Sequence, residues 1–91
     1  MDVIQASRYV TEQITRLQIA TGRQPQTIAG VALFMVSQLS TDKKNCYEIA
    51  DAVNITEQTI RHAYKDIYEF RNDIIPPWWK HKEPIESLTK P

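Results

Sequence analysis

Gln58, Arg61, His62 and Lys65 stand within "EIADAVNITEQTIRHAYK", residues 48–65, at spacings that share one face of a helix. Such a set suits base recognition. Arginine makes two hydrogen bonds to a guanine edge, and glutamine makes two to an adenine edge. Both residues lie near the start of their helix, the end that enters the major groove in helix-turn-helix proteins. The same helix carries Glu57, Asp66 and Glu69, and residues 48–72 hold three basic and five acidic side chains. A solvated face, with Glu57–Arg61 and Arg61–Lys65 as helical neighbours, is the plainer account of the same residues.

No other constellation carries chemistry. His62 and His81 are isolated from each other and from further ligands, so they argue no metal site. His62 reads as a solvent-exposed or phosphate-contacting residue. Cys46 is the single cysteine, which leaves no disulfide framework and no multi-cysteine zinc site and fits a reducing compartment. Its place at a helix start would favour some thiolate character, but a small helix-start residue is the simpler reading. Ser7, Ser37 and Ser40 have no nucleophile context, and no glycine-rich phosphate loop or metal-spaced carboxylate cluster occurs. The sequence therefore implies no enzyme and no cofactor.

Four large helices are expected to position the face. The first spans about 3–20, with Val3, Ala6, Val10, Ile14 and Leu17 inward and Arg8, Glu12 and Arg16 outward. Gly22 is expected to supply the left-handed residue that stops it. The second starts at Pro25, a good first helical residue, and runs to about 39. Its apolar residues cover nearly every face, and Ala29, Gly30 and Ala32 are small enough for close neighbours, so it reads as the central helix. "STDKKN" is a polar loop. Asn45 caps a short third helix that ends near Val53, with Glu48 in capping-box position. The fourth covers about 56–70 and buries Ile60, Ala63, Tyr64, Ile67 and Tyr68. "IIPPWW" breaks the helical pattern, because two prolines cannot continue it.

The third and fourth helices meet the demands of a helix-turn-helix. Ile49 and Val53 face inward, and Ala50 is small where the helices cross. Asn54 tolerates the positive φ that the turn requires. Ile55, Ile60 and Ala63 complete the buried contacts, and Thr56 caps the second helix of the pair.

The whole chain narrows the function. Its 91 residues form one domain or part of one, with a formal net charge of zero. A protein that coats phosphate backbones is strongly basic, so any nucleic-acid contact here is local and assisted. The longest apolar run, "IAGVALFMV" at 28–36, reaches about half a membrane span, and no signal-peptide pattern opens the chain. Trp78 and Trp79 lie just beyond the last helix. They either fold back over the core edge or anchor a partner, a role in which tryptophan is enriched.

The order of these features resembles the second cyclin-like repeat of the eukaryotic transcription factor IIB family. The carrying segments are "GRQPQTIAGVALFMVSQLS", "EIADAVNITEQTIRHAYKDIY" and "IIPPWWKHKEPIESL", which together cover nearly the whole chain. The resemblance implies an all-α, cyclin-like helical bundle containing a helix-turn-helix, with the repeat at 1–75 and an extended C-terminal segment at 76–91. The family's leading helix of this repeat, its first repeat and its zinc ribbon would precede residue 1. The central helix is then expected to be partly uncovered, leaving an apolar groove for self-association or for the tail with Trp78 and Trp79.

The resemblance also implies a nuclear role in initiation by RNA polymerase II. The partners would be promoter DNA, the TATA-binding protein, the polymerase machinery and transcriptional activators, with no membrane role. By position, Arg61 matches the arginine that reads the element upstream of the TATA box, and Thr59 falls in the same motif. Gln58 replaces the valine of well-known animal members, and Asn54 and Ala50 each replace a glycine. Lys43, Lys44 and Lys65 would touch phosphates. Tethering by the rest of the factor would let weak local contacts suffice. The alternative is a protein-interaction module with a degenerate DNA face, in which Trp78 and Trp79 carry the contacts. A polymerase III sister factor and the archaeal homologue share the repeat, but "PPWWKHKEPIESL" is more similar to the polymerase II factor.

Overall fold

Local stop and start signals divide the chain into five helices in the computed structural model, which describes residues 3–19, 22–40, 44–76, 88 and 90. They are α1 (Val3–Arg16), α2 (Pro25–Gln38), α3 (Cys46–Val53), α4 (Glu57–Tyr68) and α5 (Arg71–Ile74). No strand occurs among the described residues.

In α1, Ala6, Val10 and Ile14 are fully buried, as their spacing predicts. The helix ends earlier than expected, and Leu17 is 39% exposed rather than inward. The left-handed residue that caps the helix is Gln18, at φ 57°; Gly22 also takes a positive φ, 90°, but lies beyond the cap. The Gln18 N–H donates to the Thr15 carbonyl at 3.1 Å, and the Ile19 N–H to the Ile14 carbonyl at 3.0 Å. These two bonds form a Schellman cap. The reversal turns Leu17 outward and brings Ile19 into the core cluster that also holds Ile14, as the apolar residue after this cap commonly is. Burial of Ile19 outweighs the modest strain of a left-handed glutamine.

The start of α2 needs no side-chain cap. Pro25 fits the first turn, and the Gln24 carbonyl accepts from the Thr27 and Ile28 N–H groups at 3.0 and 3.1 Å. Val31, Ala32, Met35 and Val36 are fully buried. α2 packs against α1 on one side and against α3 and α4 on the other, which makes it the central helix. A Cβ at Gly30 would lie 3.2 Å from Val53 Cγ2 and 3.5 Å from Ile60 Cδ1, so the missing side chain admits the α3–α4 pair. The helix is not enclosed all round. Ala29 is exposed and Leu33 half-buried along an open strip beside Ile4, which is 66% exposed. These residues line a shallow groove of about 380 Å³, the apolar opening expected next to the central helix.

Beyond α4 the structure adds an element that the sequence reading lacks. α4 stops at Tyr68 rather than near Phe70, and the single turn of α5 packs against α1. Ile74, Ile75 and Pro76 are buried, and Ile75 is extended at φ −74°, ψ 130°, as a residue before proline must be. Leu88 is 3% exposed within the main core cluster. Trp78, Trp79, His81 and Lys43 lie outside the described residues.

Candidate nucleic-acid interface

Three residues fix the orientation of α4. The Asn45 side-chain oxygen Oδ1 accepts from the Glu48 N–H at 2.9 Å and starts α3. Asn54 ends it at φ 61°, ψ 47°, and the Ile55 N–H donates to the Ala50 carbonyl at 3.0 Å, the same cap that ends α1. The Thr56 hydroxyl accepts from the Thr59 N–H at 3.2 Å and starts α4. Ile60, Ala63, Tyr64 and Ile67 then seat α4 in the core. Fixing this stripe leaves Gln58, Arg61, His62 and Lys65 exposed on the other side.

Thr59 is placed differently from its neighbours. It is half-buried, and its Oγ1 lies 2.7 Å from Thr56 Oγ1, so its hydroxyl belongs to the cap. Arg61 is paired: its Nε and one terminal nitrogen donate to the same Glu57 oxygen at 3.1 and 2.8 Å. The hydrogen bond to Glu57, followed by the charge of Glu57, raises the Arg61 pKa further, so this side chain stays cationic. Two other carboxylates near the face are also engaged. Asp66 binds Arg23 at 2.7 Å, and Glu48 approaches Lys44 at 4.0 Å. The acidic residues that weigh against DNA in the sequence are therefore partly neutralised.

Below the exposed face lies a cavity of about 490 Å³ with Phe34, Tyr64 and Cys46 in its wall. Arg61, His62, Lys65 and Lys90 also line it. Phe34 and Tyr64 meet edge to face at 5.2 Å, Tyr64 meets Tyr68 at 5.6 Å, and the Arg71 guanidinium sits 4.2 Å over the Tyr68 ring. Burial, with a smaller contribution from Tyr68, pushes the Tyr64 hydroxyl well above its ordinary range. Burial likewise pushes the Cys46 thiol up; Arg61 opposes this and Glu57 adds to it. Burial therefore disfavours the thiolate that its helix-start position would favour. Ser37 and Ser40 are structural. Their hydroxyls donate to the Phe34 and Ser37 carbonyls at 3.0 and 2.9 Å.

The sequence reading missed Arg23, which crosses to α4, and the tail residues Leu88 and Lys90. Leu88 is the last apolar residue in a polar tail, which is the one signal that points to it. Among the described residues, no three His, Cys, Asp or Glu side chains converge as metal ligands, and no helix is long and apolar enough to cross a membrane.

A small-residue-bearing central helix, α1 on one side and a tightly turned helix pair on the other define a cyclin-like helical repeat. The family model of the transcription factor TFIIB repeat matches residues 1–70, and the chain belongs to that family. It is 37% identical over 75 residues to transcription initiation factor IIB of Dictyostelium discoideum, covering 82% of this chain and 23% of the relative. Against the factor of Oryza sativa subsp. japonica it is 33% identical over 88 residues, covering 97% of this chain and 28% of the relative. Against that of Homo sapiens it is 31% identical over 83 residues, covering 91% and 26%. The chain thus spans about a quarter of the length of the curated relatives it matches.

Proposed function

We propose that this chain acts in the nucleus as the promoter-contacting repeat of an RNA polymerase II general initiation factor. In this reading, residues 1–75 are the repeat and 76–91 its C-terminal extension. The first turns of α4 enter the major groove upstream of a TATA box. Arg61 reads a guanine, Gln58 reads a neighbouring position, Thr59, expected from its place in the motif to read another, instead supports them through the cap, and His62, Lys65, Lys43 and Lys44 contact the groove or phosphates. The repeat would thereby support assembly of the TATA-binding protein and the polymerase on the promoter. One observation carries the reading: Arg61 is 65% exposed on a helix whose other face is locked in the core. A side chain so placed reaches a base edge without any change in the fold.

The test is Arg61→Ala, measured against a duplex with a GC-rich element beside a TATA box and against a scrambled element. Discrimination should fall roughly tenfold, with thermal stability retained. Unchanged discrimination would refute base reading by this helix.

A second reading has its own support. The open strip of Ile4, Ala29 and Leu33 is an apolar face, and five acidic residues against three basic ones in 48–72 weaken the case for DNA. In this reading the repeat binds an activator or another initiation factor, with Trp78 and Trp79 contributing. Arg61→Ala would then be silent, while changes at Trp78 or Trp79 would weaken partner binding.

A further inference from the structure

We propose that Lys90, held beside α4 by burial of Leu88, is a phosphate-contacting residue of the DNA face. The proposal rests on the promoter-reading function above and extends it to the C-terminal tail. Leu88 is 3% exposed in the same core cluster that seats α4. An apolar side chain buried to this degree is an anchor, and it confines the exposed residue two positions on. Lys90 therefore lines the cavity that Arg61, His62 and Lys65 also line.

The charge arrangement favours an anion there. Glu57 is engaged by Arg61, Asp66 by Arg23, and Glu48 lies near Lys44. Among the described residues no carboxylate pairs with Lys65 or Lys90. A chain of zero net charge thus places two lysines without a carboxylate partner among the described residues, Lys65 and Lys90, beside the helix that would enter a groove. A duplex seated on the first turns of α4 carries phosphates along both margins of its major groove. A lysine beside the helix can meet a margin that the helix itself does not reach. Such a contact adds affinity and sets position, and it carries no sequence preference.

The experiment measures binding of the 91-residue chain to the duplex with its GC-rich element and TATA box, from about 50 to about 200 mM salt. Lys90→Gln should weaken binding roughly fivefold at about 100 mM salt and reduce the slope of log affinity against log salt by about one. The preference over a scrambled element should not change, the melting temperature should hold, and Lys90→Arg should restore both affinity and slope. Leu88→Ala should reproduce the loss of slope in the fraction that remains folded. If Lys90→Gln keeps the wild-type affinity and slope while Arg61→Ala still loses discrimination, the tail contact is refuted and base reading stands. If the wild-type chain shows no preference for the GC-rich element at the lowest salt even with the TATA-binding protein bound to the duplex, both are refuted.

Discussion

Glu57 grips Arg61 through a single carboxylate oxygen, which accepts from two guanidinium nitrogens at 2.8 and 3.1 Å. The pair lies one helical turn apart at the start of α4, with Arg61 65% and Glu57 23% exposed. Glu57 both orients the arginine and competes with any base for it. Glu57→Gln should therefore raise affinity for the GC-rich duplex, roughly threefold at low salt, by removing a like charge from the phosphates. Fluorescence anisotropy across salt checks this, and a fall in affinity would mean that orientation matters more than competition.

Asn54 stands at φ 61° between the two helices that set the face. Asn54→Ala should destabilise the fold by about 1–2 kcal/mol, because a Cβ-bearing residue without a local polar side chain pays for the left-handed conformation. Asn54→Gly should be neutral or slightly stabilising. Urea denaturation of the three proteins distinguishes a conformational requirement from a side-chain contact.

Gly30 has Val53 Cγ2 within 3.2 Å of where a Cβ would stand, and Ile60 and Ile55 just beyond. Gly30→Ala asks a half-buried valine to move by a few tenths of an ångström, while it gains about 1 kcal/mol of helix propensity. It should be close to neutral. Gly30→Val should cost about 1–3 kcal/mol by pushing the α3–α4 pair off the central helix. Thermal melts of both variants check the contrast.

Burial holds the Tyr64 hydroxyl above its ordinary range, so the folded state keeps this proton where the unfolded chain would lose it. Stability from this group is complete below about pH 10, the unfolded tyrosine value, and declines as pH rises further. Tyr64→Phe should flatten that alkaline decline whatever it does to stability at neutral pH. Melting temperatures from about pH 8 to about pH 11 give the slope that decides it.

Much of this architecture was legible because its signals act over a few residues. Pro25, Asn45, Asn54 and Thr56 each govern backbone geometry within one turn of themselves, and each starts or stops a helix where its chemistry predicts. The apolar stripe of α4 has a fixed period, so the exposure of Gln58, Arg61, His62 and Lys65 on its other side followed from spacing alone. Family membership followed from the order of such segments.

What the sequence left open was decided by contacts between distant parts of the chain. Ile19 rather than Leu17 enters the core because burial in a cluster built from the other helices as well selects a left-handed glutamine that local propensity disfavours. Arg23 meets Asp66 across 43 residues, so no helical spacing could announce the pair. Lys90 reaches the cavity beside α4 because Leu88 finds room in a core assembled from other helices. Local propensity depends on a residue and its near neighbours. Burial depends on which surfaces remain unfilled once all the helices have packed, and only the tertiary structure supplies that.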